Sequence, residues 1–176
     1  MTCIVGLVDG GRVWMGGDSA SMGADSLEIR RDPKVCTRGE YAVGCTDSWR
    51  MAQLLRYAPG MPNPTGDLHR FMVMEFVDWM RTVYREAGWL AKETNGEERG
   101  GLFLVGVRGH LFTVEADHQV GEPYDRYSAV GTGGPVALGA LYATAGQEPR
   151  ERLRTALRAA ERMRVGVRGP FRIVSV

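Results

Sequence analysis

Residues 2–18 read TCIVGLVDGGRVWMGGD, and this stretch decides the fold. Two apolar segments, 2–9 and 12–17, are separated by Gly10-Gly11, a dipeptide that tolerates the positive φ angles of a tight hairpin turn. The pattern therefore predicts two antiparallel strands. Thr2 follows Met1 directly, so removal of one residue would leave a threonine with a free α-amine.

Asp18 and Lys34 follow Thr2 at two equal intervals of sixteen residues. Lys34 and Lys92 are the only lysines among 22 basic residues. Arginine stays charged, whereas the pKa of a lysine responds to burial and to neighbouring charges, which suits catalysis. A threonine hydroxyl needs a base, and an N-terminal threonine carries one in its own α-amine, whose unperturbed pKa is about 7.7–8.0.

These three residues and the segment VWMGGDSA (13–20) are similar to the proteasome β-subunit superfamily, and most like the bacterial HslV (ClpQ) threonine peptidases. A second motif, AVGTGGPVALGALYA (129–143), resembles the glycine-rich turn from strand to helix in that family. The similarity runs over nearly the whole chain. We therefore expect an enzyme with an N-terminal nucleophile.

The element pattern predicts an α+β fold, because two blocks of strand hairpins are each followed by two helices. The resemblance narrows this to the four-layer αββα sandwich of the N-terminal-nucleophile (Ntn) hydrolases, as a single domain over residues 1–176. It also implies a self-compartmentalised threonine endopeptidase in stacked hexameric or heptameric homo-oligomeric rings. An AAA+ ATPase unfoldase is the expected partner, and unfolded polypeptide is the expected substrate.

The resemblance also implies roles for individual residues. Thr2 would attack the peptide carbonyl, and Lys34, held as a cation by Asp18, would favour the neutral amine and polarise the threonine oxygen. By analogy, the backbone N–H of Gly44 is the expected oxyanion donor. Thr132 stands where the family has a serine that helps to hold the terminal amine.

Residues 20–23 are expected to pair with the substrate as an added strand. Ser21, Met22, Asp32, Cys36 and Cys45 are predicted to bind the substrate, and all of them except Met22 are expected in the specificity pocket. The hairpin that ends at Cys45 is several residues shorter than in HslV-like chains, which shifts the alignment of Gly44.

Two positions depart from the family, since Arg162 replaces a common aspartate and Val165 replaces the serine of proteasomes. They leave open a rival reading as a catalytically idle ring scaffold or binding shell, and a small-molecule Ntn amidase is a second rival. Cys3 could be the nucleophile if two residues were removed, although its spacing to Asp18 is then wrong by one. The glycine-rich turn at 131–134 could also bind phosphate at the start of a helix.

Composition limits the function classes. The net charge of +1 gives no field that would recruit nucleic acid or an anionic membrane. No apolar run approaches the roughly 20 residues of a transmembrane helix. Three cysteines without framework spacing fit a reducing cytoplasm. The three histidines lack metal-ligand spacing, so we expect no metal and no cofactor.

Periodicity and turn signals place the remaining elements. They predict helices over about 48–58, 67–87, 135–145 and 148–163, and a flexible break at 93–101. Strands are predicted within 26–31, at 34–37 and 41–45, at 102–107 and 110–117, at 128–130 and at the end of the chain.

Overall fold

The computed structural model describes residues 1–92 and 98–176. Most of the flexible break predicted at 93–101 falls on residues 93–97, which lie outside the described residues. The strands are β1 Ile4–Asp9, β2 Arg12–Gly17, β3 Ala20–Met22, β4 Leu27–Ile29, β5 Val35–Arg38, β6 Tyr41–Cys45, β7 Ala91–Lys92, β8 Glu98–Arg99, β9 Phe103–Val107, β10 His110–Val114, β11 Val120–Gly121, β12 Tyr127–Val130 and β13 Arg172–Ser175. The helices are α1 Trp49–Tyr57, α2 Leu68–Phe71, α3 Val77–Glu86, α4 Gly134–Ala143 and α5 Pro149–Met163, and a π-helical turn, Met72–Phe76, joins α2 to α3.

The first hairpin forms as predicted. Gly10 and Gly11 both have positive φ angles, 55° and 76°, which reverse the chain in two residues. Strands β1 and β2 then pair in the register that places Ile4 opposite Gly17. The residues just beyond this pair, on either side of the open end of the hairpin, are therefore neighbours.

The strands form two main antiparallel sheets. One has the order β12-β1-β2-β13 and the other the order β11-β10-β9-β6-β5. The pairs β3–β4 and β7–β8 form two small sheets of their own. The predicted hairpins β5–β6 and β9–β10 are therefore confirmed, and both lie in the five-stranded sheet.

The long helix predicted at 67–87 is continuous but contains the π-helical turn. Met72, Phe76, Met80 and Tyr84 follow one another at intervals of four and have no exposed surface. A regular helix has 3.6 residues per turn, so such a series drifts around the helix. The wider π turn takes up this drift, and all four side chains stay on the core side.

Three clusters of buried side chains hold the elements together. One lies between α4, α5 and the four-stranded sheet, and includes Val5, Leu141 and Leu157. A second joins the two sheets through residues such as Ile4 and Leu104. The third packs α1, the π turn and α3 on the five-stranded sheet. It includes Val43, Met51, Phe71, Phe76, Met80, Tyr84 and Phe103.

Both main sheets are thus covered on both faces. This is why β1 reads as a nearly continuous apolar run rather than an alternating one. Within the described part of the chain, none of the helices is long and apolar enough to cross a membrane.

Candidate active site

The first hairpin brings Asp18 beside Thr2. Asp18 directly follows β2, Cys3 directly precedes β1, and the Asp18 N–H donates to the Cys3 carbonyl at 3.3 Å. The Cys3 N–H in turn donates to Asp18 Oδ1 at 3.0 Å. The interval between Thr2 and Asp18 therefore follows from the two strands and the turn that joins them.

Lys34 reaches the same point from the other sheet. It directly precedes β5, and its carbonyl accepts the Cys45 N–H at 3.1 Å. Its ammonium nitrogen lies 3.0 Å from Thr2 Oγ1, and 2.9 Å and 3.0 Å from the two carboxylate oxygens of Asp18. The residues Thr2, Asp18 and Lys34 are 3%, 1% and 5% exposed, so the cluster is buried.

The number of hydrogen bonds at Lys34 indicates its protonation state. An ammonium group carries three N–H donors and no acceptor, and three oxygens surround Lys34 Nζ within hydrogen-bond distance. Burial lowers the pKa of Lys34 below its ordinary value of 10.5, and the charge and hydrogen bond of Asp18 oppose that effect. A charged Lys34 satisfies all three oxygens and has no lone pair with which to act as a base.

Asp18 is fixed by the backbone around it. Besides the Cys3 N–H and Lys34, its carboxylate accepts the N–H of Ala20 at 3.0 Å and that of Arg168 at 3.5 Å. Its side chain has no exposed surface. These N–H groups hold the carboxylate oxygens in place, so the pair with Lys34 has one defined geometry.

Thr132 lies in the glycine-rich turn between β12 and α4, next to Thr2. The Thr2 N–H lies 3.4 Å from Thr132 Oγ1, and the Gly133 N–H donates to the Thr2 carbonyl at 3.1 Å. Gly131 has a φ of 89°, and a Cβ on it would meet the Thr2 carbonyl. This turn therefore holds the main chain of Thr2, which leaves the Gly133 amide unavailable to the phosphate considered above.

Met1 covers the nucleophile in this structure. The Thr2 hydroxyl donates to the Met1 carbonyl at 2.7 Å and lies 3.3 Å from the Thr46 carbonyl. With Met1 attached, the nitrogen of Thr2 is an amide and has no basic lone pair. Met1 itself is 58% exposed.

A cavity of about 100 Å³ adjoins Thr2 and Lys34. Its other lining residues are Met1, Ala20, Ser21, Met22, Cys45, Thr46, Asp47, Ser48, Trp49 and Ala52. Three of the five residues predicted to bind the substrate, Ser21, Met22 and Cys45, are thus among them. Burial raises the pKa of the Cys45 thiol well above its ordinary value, so this thiol is neutral.

Asp32 and Cys36 do not line the cavity, contrary to the prediction for the pocket. Asp32 pairs instead with Arg30 through two bonds of 2.8 Å. Cys36 lies within β5, opposite Val43, and the strand carries it away from Thr2.

Trp49 is a wall of the cavity that the sequence analysis missed. Its indole N–H donates to Ser21 Oγ at 3.1 Å, and the Arg30 guanidinium lies 4.3 Å from the ring centroid. Asp32 thus influences the cavity only indirectly, through Arg30. The helix signal at residue 48 was visible in the sequence, but it did not reveal which side of α1 faces Thr2.

The prediction for Gly44 disagrees with the structure. The Cys45 N–H points to β5 and the Thr46 N–H donates to Leu102 at 3.2 Å, next to β9. Because peptide groups alternate between the two neighbours of a strand, the Gly44 N–H also points to β9, where Leu104 is its partner. Gly44 is absent from the cavity lining, and a Cβ on it would lie 2.5 Å from Ile4 Cγ2. Its role is to let the two sheets approach.

The segment after Gly44 lies against the nucleophile instead. Thr46 and Asp47 are anchored on Leu102, through Thr46 Oγ1 to its carbonyl at 2.8 Å and Asp47 Oδ2 to its N–H at 2.7 Å. The N–H groups of Asp47 and Ser48 have no acceptor among the described residues. Both residues line the cavity.

Other sequence expectations can now be placed. The Cys3 side chain has no exposed surface and packs towards α4 and α5, and burial raises its pKa to about 12, which leaves no reactive thiolate. Arg162 is exposed near the end of α5, and Val165 is 71% exposed. Gly166 lies against Met1.

Comparisons with known proteins agree with this geometry at the level of the fold. No family model matches the chain, and no curated protein does. Solved structures do match in fold over nearly the whole chain, and one of them is an HslV, the kind of protein that the motifs resemble.

The matching structures are as follows. Two structures of Thiobacillus denitrificans BPH, one of them in complex with epoxomicin, each match with a TM-score of 0.84 at 20% identity. The match covers 99% of this chain, and 98% of the BPH chain in the complex and 97% in the other structure. HslV from Trypanosoma brucei matches with a TM-score of 0.69 at 18% identity, over 99% of this chain and 98% of that one. The fold thus agrees better with BPH than with this HslV, which corrects the expected order of similarity.

Proposed function

We propose that this protein is a threonine endopeptidase whose nucleophile is Thr2 after removal of Met1. One observation carries the proposal: Lys34 Nζ bridges Thr2 Oγ1 and both oxygens of the buried Asp18. Thr2, Asp18 and Lys34 come from different parts of the chain and meet with every donor of the lysine used. A surface salt bridge would need neither the burial nor the hydroxyl.

The chemistry follows from the state of Lys34. Because the charged lysine cannot accept a proton, the base must be another group, and removal of Met1 would create one in the Thr2 α-amine. The nearby cation favours the neutral form of that amine by charge repulsion. The amine takes the hydroxyl proton while Thr2 Oγ1 attacks the peptide carbonyl, and the proton then passes to the leaving amine. An ester remains on Thr2, and water hydrolyses it.

The developing oxyanion needs a donor other than Gly44. We place it at Ser48, where the N–H has no acceptor among the described residues. The Thr46 carbonyl faces Thr2, and in a trans peptide the following N–H, that of Asp47, points the opposite way. The next amide, at the beginning of α1, is therefore the better candidate, and the N-terminal dipole of that helix supports negative charge there.

The substrate would lie beside β3 as an added strand. Ser19 and Arg30 share a backbone hydrogen bond, as do Gly23 and Ser26, so the odd-numbered residues of this segment turn their peptide groups towards β4. The N–H and carbonyl of Met22 then face the other edge and can pair with an extended peptide. Ser21, Cys45, Trp49 and Ala52 would surround the side chain that precedes the cleaved bond.

Assembly and layering extend the same proposal. The order helix, sheet, sheet, helix described by the core clusters supports an αββα sandwich of the Ntn-hydrolase type. We propose that the chain forms homo-oligomeric rings that enclose the site, and that an AAA+ ATPase delivers unfolded polypeptide to it. Enclosure would keep an unselective nucleophile away from folded proteins.

The proposal is tested on protein that lacks Met1. We expect it to cleave a reduced and alkylated, permanently unfolded protein into peptides and to spare the same protein when folded. Thr2→Ala should abolish cleavage, whereas Thr2→Ser should retain part of it because the hydroxyl is kept. Equal cleavage by the wild type and Thr2→Ala would contradict the proposal.

Two other outcomes point to the rivals. Turnover of small amides without cleavage of unfolded chains would favour an amidase on the same fold. A correctly processed protein that assembles but cleaves neither substrate would favour the idle scaffold.

A further inference from the structure

The segment that follows α5 contacts Asp18 and the residue after it. The Arg168 N–H lies 3.5 Å from Asp18 Oδ2, and the Arg168 carbonyl accepts the Ser19 N–H at 2.9 Å. The Ser19 hydroxyl donates to the Pro170 carbonyl at 2.6 Å. The main chain at Arg168 therefore contacts both residues of the Asp18–Ser19 pair.

The side chain of Arg168 folds back onto its own loop. One guanidinium nitrogen, Nη1, lies 3.3 Å, 3.0 Å and 2.7 Å from the carbonyl oxygens of Glu161, Arg164 and Val167. The last carbonyls of a helix have no partner within the helix, and a cation is stabilised near them. Three carbonyl dipoles thus converge on one positive charge, which ties the end of α5 to residues 164–168.

A second contact braces the same loop. Glu161 Oε1 accepts the Gly169 N–H at 2.8 Å, so the last turn of α5 holds the chain on both sides of Arg168. The guanidinium is thus held through Nη1 by the end of α5 and the residues after it, while the main-chain N–H of Arg168 lies next to Asp18.

We propose that Arg168 is a positioning residue for the Asp18–Lys34 pair. This inference rests on the proposed function and deepens it. The guanidinium fixes the turn after α5, the turn fixes the main chain of Arg168, and that main chain fixes the orientation in which Asp18 directs Lys34 to Thr2 Oγ1. Arg168 touches neither the nucleophile nor Lys34 among its described contacts, so it acts through Asp18.

The competing role is that of a helix cap alone, which would stabilise α5 without affecting Asp18. Arg152 offers a matched control. Arg152 lies on α5 itself and also donates to a backbone carbonyl, from Nη2 to Leu141 at 2.8 Å, but it contacts α4 rather than the site. A merely structural role predicts similar consequences for Arg168→Ala and Arg152→Ala.

The direct test is amide hydrogen exchange of the Ser19 and Ala20 N–H groups, followed by NMR. Ser19 donates to the Arg168 carbonyl and Ala20 to Asp18, so both amides report on the contact between the Arg168 main chain and the Asp18–Ser19 pair. In Arg168→Ala we expect both amides to exchange at least about tenfold faster, because loss of a charge-assisted anchor lowers the cost of local opening. Guanidinium ion at non-denaturing concentration should reverse the change.

In Arg168→Lys, the exchange rates of the Ser19 and Ala20 amides should lie between those of the wild type and Arg168→Ala, because an ammonium can offer three donors to the same carbonyls. Unchanged exchange at Ser19 and Ala20 in Arg168→Ala would overturn the inference. So would an equal acceleration in Arg152→Ala.

A kinetic measurement complements the exchange data. In active protein, Arg168→Ala should lower kcat about tenfold or more with KM nearly unchanged, because the substrate does not contact this loop. Exchange needs no turnover, so it still decides the role of Arg168 if the wild type proves inactive. If the wild type is inactive but the Ser19 and Ala20 amides still exchange faster in Arg168→Ala, the proposal of a peptidase is contradicted and the positioning role of Arg168 stands.

Discussion

Two ion pairs, Lys34–Asp18 and Arg30–Asp32, are close together in the sequence and differ in how far they are exposed to solvent. Lys34 and Asp18 have side chains that are 4% and 0% exposed, whereas those of Arg30 and Asp32 are 28% and 40% exposed. The two pairs have similar distances, 2.9 Å and 2.8 Å. Distance alone therefore says little about what a pair does.

The difference lies in what else each pair contacts. The buried pair is tied to a hydroxyl and to backbone N–H groups, so its charges stay at fixed positions in a region with little water. The exposed pair is screened by solvent, and its cation stacks on Trp49 at the rim of the cavity. The proposed chemistry therefore depends on the buried pair, whereas the exposed pair lies beside the wall of the pocket.

The largest effect is expected from breaking the buried pair, and it should be asymmetric. Asp18→Asn leaves Lys34 buried without its countercharge, and we expect a cost of about 3–5 kcal/mol in the free energy of unfolding. Lys34→Met should cost less, because Asp18 keeps the N–H groups of Cys3 and Ala20. Urea denaturation of both variants measures this. Equal costs would mean that the backbone donors contribute nothing.

Both variants should also lose activity, by about 10²–10³-fold or more, since each removes a fixed charge from the reacting oxygen. The comparison of kcat/KM with that of the wild type gives the value. A variant that kept more than a tenth of the activity would show that the buried pair is structural.

The next prediction concerns pH. Burial lowers the pKa of Lys34, so as the pH is raised this group loses its proton before pH 10.5 is reached. The alkaline limb of the activity profile should therefore lie at a pH lower than 10.5. The effect of pH on the free energy of unfolding has the opposite sign to that of a salt bridge that raises the pKa of a lysine. Between the folded pKa and 10.5 the unfolded chain binds the extra proton, so this group makes the fold more stable as pH rises.

Activity and unfolding measured over the same pH range separate the two effects. Activity should fall on the alkaline side while the contribution of Lys34 to stability increases. In Lys34→Met the rise in stability should disappear. If the same rise persists in Lys34→Met, another group causes it.

A smaller effect is expected at Trp49, where the exposed pair meets the cavity. Trp49→Ala removes a wall and the surface on which Arg30 stacks, so the preference should move towards larger side chains before the cleaved bond, by about tenfold in the ratio of kcat/KM values. Trp49→Phe is the control, because it loses the bond to Ser21 but keeps an aromatic ring and most of the wall. If the two variants give the same ratio, ring volume does not set the preference.

The smallest effect is expected at Asp32. Asp32→Asn removes one charge of an exposed pair, and we expect a change of at most about 0.5 kcal/mol in the free energy of unfolding. The difference should shrink further as salt is added. A loss comparable to that of Asp18→Asn would remove the distinction between the two pairs.

The sequence predicted that Thr2, Asp18, Lys34 and Thr132 would lie together, because these residues are positioned by local rules. A hairpin with a two-residue turn fixes the distance along the chain from Thr2 to Asp18, and the glycine-rich turn fixes Thr132. Lys34 was predicted to begin a strand over 34–37, and the structure places it directly before β5, in the sheet that also contains β9 and β10. Whether these residues catalyse a reaction stays a prediction.

Other features depend on which way a backbone or side chain points. Gly44 was assigned by analogy in a hairpin of altered length, and the alternation of peptide groups along β6 turns its N–H away from the cavity. Asp32 and Cys36 are close to Lys34 in sequence, but the first turns to Arg30 and the second is carried away along β5. Trp49 and Arg168 were missed because no pattern shows that a side chain reaches a particular wall or three particular carbonyls.

The most direct measurement is the intact mass of the purified protein before and after incubation with a peptide epoxyketone. This reagent forms its stable ring only with both a hydroxyl and a free amine on one N-terminal residue. We expect a starting mass that lacks Met1 and one stoichiometric adduct, which Thr2→Ala abolishes and Asp18→Asn strongly slows. A starting mass without Met1 that gains no adduct, or an adduct that persists in Thr2→Ala, would contradict the assignment of Thr2 as the nucleophile and of its amine as the base.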